Sequence, residues 1–382
     1  MRVLQLNKTA VGATWAFRQT RELVRRGVDV HMAMPEGPLV DRYEQAGVTV
    51  HRLQTDFPVR SPWRFPRIAA ALRRLVRDVE PHVIHSHFVG TTLSMRLALG
   101  RRRTPPRAFQ VPGPLHLESP FFRRAEIATA TRSDYWIASC EWTRQRYLQS
   151  GIPAERVFLS YYGVDIDDFK PQPPGTLRRE LGIDDTARII GIVAFMYAPK
   201  RYLGQTRGLK GHEDLIDALA ILGKRRRDIV GVFVGGPWGG ATDYEQRLVA
   251  YGKQRCGDRI HFLGTRSDVA ALYADFDVAV HPSLSENVGG ALESLVLGVP
   301  TIATNVGGFP DLVQPGRTGW LVPPKNPQQL AVAIEQALAD PEHARALAQA
   351  GQVRARRLFD IRRNAEEVHE IYEQILKCEL SR

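Results

Sequence analysis

Short apolar runs alternate with segments of helical spacing along the whole chain. Val3–Leu6 is the first such run, and residues 14–26 then place Trp15 and Leu23 at helical spacing before Gly27 ends the helix. This alternation is typical of α/β proteins, in which helices connect parallel strands. The same criteria predict strands at Val28–Met34, Val48–Leu53, Val83–His87, Phe109–Val111, Tyr135–Ser139 and Val157–Leu159, and helices at 68–79 and from about residue 91.

A proline-rich segment interrupts this pattern at residues 170–175, Lys-Pro-Gln-Pro-Pro-Gly, a composition typical of a linker. A second α/β alternation follows it, and from residue 326 onward the chain has helical composition. The predicted fold is therefore two doubly wound, Rossmann-like domains, which bind ligands beyond the carboxyl ends of their strands. The second run comprises strands at Ile189–Val193, Ile229–Val234, Ile260–Leu263, Val278–His281 and Thr301–Thr304, and helices at 212–222, 243–254, 268–274 and 290–297.

The most informative segment is 281–300, where a strand leads through a loop into a helix. Gly289 and Gly290 allow the backbone to approach a ligand, and the unpaired amides of the helix start suit a diphosphate. Glu286 on the loop and Glu293 one turn into the helix are placed to accept hydrogen bonds from sugar and ribose hydroxyls. The alternative is an ordinary helix with an acid near its N-terminus. The predicted donor-binding residues here are Asn287, Val288, Gly289, Gly290 and Glu293, with Glu286 beside the donor sugar.

This segment resembles the glutamate–loop–glutamate motif of family 4 retaining glycosyltransferases. Residues 298–313 and 316–324 resemble the next strand, glycine loop and closing turn of that family. The strand beginning at Ile260 resembles the one whose following residues, here Gly264 and Thr265, face the nucleotide base. The family usually spaces its glutamates eight residues apart, whereas Glu286 and Glu293 are seven apart. Either Glu286 or Ser285 therefore holds the first position, and we predict Glu286.

A basic cluster over residues 200–215 resembles the lysine–glycine element that neutralises the departing diphosphate in this family. Lys210 matches the lysine. The expected arginine partner is open, because residues 197–209 look like an insertion and Phe195 falls near its usual position. We predict Arg207 as the partner of Lys210, with Lys200 and Arg201 as rivals.

The first domain contributes further candidates. Gly12 follows the first strand and precedes a helix, so its backbone could lie against a phosphate. His85 and His87 end a strand, where core packing and acceptor contact are both open. His116 resembles the family histidine that contacts the donor sugar near the leaving group, with Glu118 as a tentative acceptor contact.

The resemblance implies the GT-B fold: an acceptor-binding domain at 1–168 and a nucleotide-sugar-binding domain at 169–362, facing a cleft. The closing helix at 363–378, and with it residues 363–382, is expected to return to the first domain. The implied activity is retaining transfer of a sugar from a nucleotide diphosphate donor, UDP-sugars favoured, to a hydroxyl acceptor in polysaccharide, glycolipid or natural-product biosynthesis. Two alternatives stay open: a GT-B nucleotide-sugar 2-epimerase, and a catalytically silent nucleotide-sugar-binding protein.

No metal or other cofactor is expected, because two cations would stabilise the leaving group in place of a metal ion. Asp165 and Asp167 form an Asp-x-Asp pattern, but their segment resembles the inter-domain loop of this family, so we interpret them as structural. Three isolated cysteines, Cys140, Cys256 and Cys378, lack the spacing of a zinc site or a disulfide framework.

Charge is distributed unevenly along the chain. Residues 1–168 carry 25 basic and 16 acidic side chains, and this half holds most of the net charge of +11. An anionic partner is therefore expected on the first domain. Basic helices with interleaved aromatics are missing, which argues against nucleic acid. Anionic lipid headgroups, a phosphate-linked acceptor and a plain solvated surface remain open. Without a signal peptide or an apolar span, we expect a cytoplasmic enzyme, with peripheral contact at the inner membrane face as an open alternative.

Overall fold

The chain divides into two α/β units. The computed structural model describes residues 1–100, 105–200 and 204–381. The first unit comprises Met1–Asp165 with Leu358–Arg382, and the second comprises Ile166–Arg357. The chain passes from the first unit to the second after Asp165 and returns after Arg357. Each point lies within five residues of the boundary expected from sequence.

The first unit contains a parallel sheet of seven strands in the order β3-β2-β1-β4-β5-β6-β7. Every residue of its strands β4, β5 and β6 is buried, which explains why these strands are visible in the sequence as continuous rather than alternating apolar runs. All seven strands confirm predicted ones to within two residues at either end. They are β1 Arg2–Leu6, β2 Asp29–Met34, β3 Thr49–Arg52, β4 Val83–Ser86, β5 Arg107–Gln110, β6 Asp134–Ala138 and β7 Val157–Leu159.

Seven α-helices connect these strands in the part of the first unit that the structure describes. The two longest, α1 and α3, confirm the helices predicted from apolar spacing, although α3 begins three residues earlier than expected. The shorter α2, α5, α6 and α7 are not predicted from sequence, because they are short and rich in charged residues. The seven are α1 Thr14–Arg25, α2 Val40–Gln45, α3 Phe65–Val79, α4 Val89–Leu99, α5 Leu115–Glu118, α6 Pro120–Ala128 and α7 Glu141–Gln149.

A buried ionic cluster ties α4 and α6 to strands β5 and β6. Arg96 contacts Glu126 and Asp134 at 3.0 Å each, and Arg107 contacts Asp134 at 2.8 Å. All four side chains are at most 1% exposed. Burial raises the pKa of Glu126, which the Arg96 guanidinium opposes. Two cations and two carboxylates thus compensate each other inside the unit.

The second unit contains a parallel sheet of six strands in the order β10-β9-β8-β11-β12-β13. Five of them confirm predicted strands, and β9, β11 and β12 match the predicted bounds at both ends. The sixth strand, β13, lies in residues 316–324, where only a closing turn was expected. It forms because Ile302 to Thr304 of β12 pair with it. The strands are β8 Arg188–Val193, β9 Ile229–Val234, β10 Ile260–Phe262, β11 Val278–His281, β12 Thr301–Thr304 and β13 Trp320–Val322.

Within the described residues, nine α-helices follow from the linker onward. The predicted linker at 170–175 runs into α8, whose first amides are capped by the buried Asp275 carboxylate: it accepts hydrogen bonds from Gly175 N–H at 2.6 Å and Leu177 N–H at 2.7 Å. The helices are α8 Thr176–Leu181, α9 His212–Leu222, α10 Thr242–Cys256, α11 Val269–Tyr273, α12 Leu292–Val296, α13 Phe309–Leu312, α14 Pro327–Ala339, α15 Pro341–Phe359 and α16 Ile361–Leu380.

The closing helix α16 packs within the first unit, as expected. Its residues Val368, Ile371, Tyr372 and Ile375 are buried in the core that β1, β2 and α1 build. The Tyr372 hydroxyl also lies 2.6 Å from Nδ1 of His85. The last helix in sequence therefore completes the first core.

Two further expectations concern the cysteines and the membrane. Cys140 and Cys256 are buried, Cys378 is half-buried, and all three are free thiols. Among the helices of the described residues, none combines the length and apolar character needed to cross a bilayer.

Candidate functional site

A cavity of about 270 Å³ lies where β8 and β11 of the second unit end. This is the carboxyl edge of a parallel sheet, the place where such folds bind ligands. The cavity combines one ammonium, one carboxylate and a glycine-rich helical turn with two aromatic rings. Its lining consists of Ile192, Val193, Ala194, Phe195, Tyr197, Lys210, His281, Ser283, Glu286, Gly289 and Gly290.

Lys210 enters the cavity from the loop that precedes α9. The next residue, Gly211, has φ +70°, and a Cβ built on it would lie 1.9 Å from the carbonyl oxygen of Pro282. Only glycine fits this left-handed, close approach. The neighbouring Leu284 N–H donates to the carbonyl of Leu209 at 2.8 Å. The loop that carries Lys210 is therefore fixed against the loop that carries the acidic residue of the site.

Glu286 supplies that acidic residue. Its Oε2 contacts the Lys210 ammonium, and its Oε1 accepts a hydrogen bond from the Asn287 N–H at 3.1 Å. A Cβ on Gly307, whose φ is +50°, would lie 1.7 Å from the Glu286 carbonyl, so glycine again permits the close backbone contact. Ser285 is buried and does not line the cavity. The structure thus brings Glu286, not Ser285, together with Lys210.

The predicted helix start begins as a 3₁₀ turn at Gly289–Ala291 that continues into α12. Gly289 and Gly290 line the cavity, whereas Val288 is buried beneath them. Glu293 lies outside the cavity lining and near Tyr273, whose pKa is raised by burial and by the Glu293 charge.

An aromatic cluster of Phe195, Tyr197 and Trp238 forms one wall of the cavity and its rim. Tyr197 stacks on Trp238 with ring centroids 5.4 Å apart and an interplanar angle of 29°. Phe195 packs on the same indole at 5.2 Å. The Lys210 ammonium lies 5.8 Å from the Tyr197 ring centroid. Phe195 and Trp238 are 40% and 48% exposed, so this wall is open to a ligand.

Arg207 does not join Lys210 in the cavity. Its guanidinium contacts Asp214 at 2.6 Å and Asp217 at 2.8 Å, both on α9. Among the rivals, Lys200 closes a local loop with Gln205 and does not line the cavity, and Arg201 lies outside the described residues. The structure therefore corrects the expected pairing, because the nearby carboxylates on α9 engage the arginine.

Gly264 and Thr265 lie beyond the end of β10. The Gly264 carbonyl accepts a hydrogen bond from the Gly235 N–H at 2.7 Å, and Thr265 lies beside Gly236. Both residues adjoin the loop that carries Trp238 but do not line the cavity. Their predicted contact with a base stays a prediction.

His85 and His87 are core residues of the first unit. Both are fully buried, and Nδ1 of His87 lies 2.9 Å from the Tyr162 hydroxyl. Burial lowers the pKa of His87 to about 3 and that of His85 well below its usual value, so both rings are neutral. Their burial corrects the tentative acceptor contact. Within the described residues, no group of three or more potential ligands is arranged to hold a metal ion.

His116, Glu118 and Gly12 also belong to the first unit. The His116 ring is buried, and its Nε2 lies 3.0 Å from the Tyr147 hydroxyl. Burial lowers the His116 pKa to about 4. Glu118 is exposed at the end of α5, and Gly12 is exposed with φ +72° just before α1. Gly12 thus has an exposed, left-handed backbone, and its contact with a phosphate stays a prediction, while His116 is packed inside the unit.

Among the cavity residues that sequence reasoning missed, three have polar side chains: Tyr197, His281 and Ser283. Nε2 of His281 lies 2.9 Å from the Ser294 hydroxyl oxygen, and burial lowers the pKa of His281 to about 3. Each of the three follows or ends a predicted strand, β8 or β11. Their position at the carboxyl edge of the sheet is the signal that could have identified them.

Solved structures share this architecture across the whole chain. HepE of Anabaena in complex with UDP has a TM-score of 0.79 at 24% identity, covering 97% of this chain and 99% of that one. Sucrose-phosphate synthase of Thermosynechococcus elongatus has a TM-score of 0.81 at 21% identity, covering 99% and 100%. The fold is therefore that of the GT-B glycosyltransferases.

Two family models divide the chain between them. The model of glycosyl transferases group 1 matches residues 201–354, and the model of glycosyltransferase family 4 matches residues 12–168. The chain belongs to the family 4 glycosyltransferases.

Curated relatives include the D-inositol 3-phosphate glycosyltransferases of Thermobispora bispora and Corynebacterium urealyticum. The first is 30% identical over 233 residues, which cover 59% of this chain and 52% of the relative. The second is 31% identical over 229 residues, which cover 58% and 51%. The matched region thus spans about half the length of these relatives.

Proposed function

We propose that the protein transfers a glycosyl group from a UDP-sugar to a hydroxyl acceptor with retention of configuration. The observation that carries this proposal is the Lys210–Glu286 pair beside the helical turn at Gly289–Ala291. An ammonium and open helix-start amides suit a diphosphate, and a carboxylate suits sugar hydroxyls. UDP is the favoured carrier because HepE, which shares the fold, was solved with UDP and glucose.

In the proposed reaction the bond between the anomeric carbon and the diphosphate oxygen breaks. The acceptor oxygen forms its bond to the same face of that carbon, and its proton passes to the departing diphosphate. The protein's own contribution is positioning and charge stabilisation. Lys210 holds the growing negative charge on the diphosphate, and Glu286 orients the sugar hydroxyls. The proposal includes metal independence, because Lys210 and the helix-start amides supply the positive potential.

Donor binding is the first measurement. Among UDP-, GDP-, ADP- and dTDP-glucose, we expect UDP-glucose to raise the melting temperature of the intact chain. A ligand at about a hundred times its Kd adds about 2.7 kcal/mol of stability. EDTA is expected to leave both the shift and subsequent turnover unchanged. Loss of turnover with EDTA and its return with Mg²⁺ or Mn²⁺ would contradict metal independence.

The acceptor is proposed to be a hydroxyl compound that carries negative charge. The first unit holds most of the net positive charge, and the curated relatives are D-inositol 3-phosphate glycosyltransferases, so D-inositol 3-phosphate is the first probe. Proton NMR with donor and probe follows the anomeric configuration of the product. A changed sugar formed from donor alone would indicate the epimerase. Donor binding without turnover on an acceptor panel would indicate a silent binding protein.

We further propose that α6 and α7 touch an anionic membrane surface. Phe121 and Phe122 are 73% and 45% exposed at the start of α6. Arg123, Arg124 and Arg146 line the adjoining groove. Exposed aromatics beside cations are typical of interfacial binding. The full chain is expected to float with phosphatidylglycerol vesicles but not with phosphatidylcholine vesicles. Phe121→Ser/Phe122→Ser should abolish flotation, and the matched control Val353→Ser, exposed in the second unit, should not.

A further inference from the structure

The described lining of the proposed diphosphate site holds one positively charged side chain, whereas two were expected. That side chain is Lys210, because the other basic residue of the described lining, His281, is kept neutral by burial, which lowers its pKa to about 3. Arg207 is engaged by Asp214 and Asp217. Phe195 stands on the cavity wall, near the position where a second cation would be expected. A departing diphosphate would therefore need another donor on this wall to share its charge.

Tyr197 occupies the appropriate place. It lines the cavity and lies close enough to Lys210 and Glu286 for both charges to act on its phenol. Burial and the Glu286 carboxylate raise the pKa of Tyr197, although the Lys210 ammonium opposes them. The phenol is thus neutral at physiological pH and keeps its O–H as a donor.

The backbone and Trp238 fix the position of this ring. The backbone N–H of Met196 donates to the Gly236 carbonyl at 2.9 Å, and the backbone N–H of Trp238 donates to the Met196 carbonyl at 3.1 Å. These two bonds clamp the loop after β8 to the loop after β9. The indole of Trp238 then stacks on the Tyr197 ring, which restricts the direction of its hydroxyl.

We propose that Tyr197 takes the place of the second cation: its hydroxyl donates a hydrogen bond to the diphosphate of the nucleotide sugar beside Lys210, and Trp238 positions the ring. This assignment rests on the proposed function. Tyr197 keeps its proton throughout, since the acceptor proton passes to the diphosphate. A neutral donor also leaves Glu286 paired with Lys210, whereas a second cation would compete for that carboxylate.

The test compares Tyr197→Phe with Tyr251→Phe in the full chain. Tyr251 is the matched control, because its hydroxyl contacts Asp217 away from the cavity. Removing one hydrogen bond to a charged group should lower turnover of UDP-glucose by about 10- to 100-fold in Tyr197→Phe. Turnover is measured as UDP release, with D-inositol 3-phosphate or water taking the glucosyl group. Tyr251→Phe should retain wild-type turnover, and circular dichroism should show both variants folded.

Trp238 is tested through rescue. Trp238→Ala is expected to weaken UDP affinity in calorimetry and to lower turnover, while Trp238→Phe, which keeps a ring for Tyr197 to stack on, restores both. A purely structural role would instead lower the melting temperature of both variants and leave UDP affinity unchanged.

The outcomes separate this assignment from the function on which it rests. If the wild type is active and Tyr197→Phe is equally active, the assignment of Tyr197 is overturned while the proposed function stands. The same holds if Tyr197→Phe and Tyr251→Phe lose activity equally. A wild-type chain that neither binds UDP nor releases it from UDP-glucose overturns both.

Discussion

Lys210→Ala is expected to lower turnover by about 10²- to 10³-fold or more, the usual cost of removing a group that stabilises developing charge. Among the described residues of the cavity lining, Lys210 is the positively charged one, and its ammonium contacts Glu286. Its loss would also leave the Glu286 carboxylate facing the diphosphate, so UDP affinity should fall as well. The measurement is UDP release from UDP-glucose, with calorimetry for affinity.

A second substitution separates these two effects. In Lys210→Ala/Glu286→Gln the repulsive carboxylate is gone, so UDP affinity should recover relative to Lys210→Ala while turnover stays low. Lys224→Ala, which removes an exposed lysine of the same unit, is the control and should behave as wild type. Wild-type turnover in Lys210→Ala would falsify the role of this residue.

Asp134→Ala is expected to destabilise the first unit by about 3–5 kcal/mol, because it leaves two buried guanidinium groups with a single carboxylate. Asp134 contacts Arg96 at 3.0 Å and Arg107 at 2.8 Å, and these side chains are at most 1% exposed. Desolvation already lowers the pKa of Arg107 in the intact cluster. Urea unfolding measures the loss.

The readout should report on the first unit alone, because a chain of two units does not unfold in one step. Tryptophans occur in both units, so the readout is hydrogen exchange of the backbone amides of β5 and β6, the strands that carry Arg107 and Asp134. Asp78→Ala is the matched control: its pair with Arg74 is 57% and 78% exposed, and its loss should cost less than about 1 kcal/mol. Equal effects of the two substitutions would show that the buried cluster does not stabilise the unit.

The apolar pattern of the sequence by itself determined most of the two sheets. Strands such as Ile229–Val234 and Val278–His281 are buried on both faces, so their continuous apolar runs are a local property that any reader of the sequence can find. The turn before α12 and the lysine before α9 are local for the same reason. In each of these segments the glycine, the charged residue and the first residues of the helix are neighbours in the chain.

Tertiary structure decided what depends on distant partners. The three residues of β13 are a strand because β12 pairs with them, and α6 is a helix whose Glu126 reaches Arg96 thirty residues away. In the site, Arg207 is drawn to carboxylates on α9, whereas Tyr197 reaches the cavity through bonds between the loops after β8 and β9. The sequence itself shows which residues carry charge and how far apart they lie in the chain. Which charges meet depends on the free energy of burying and pairing them, and that is settled only when separate segments of the chain pack together.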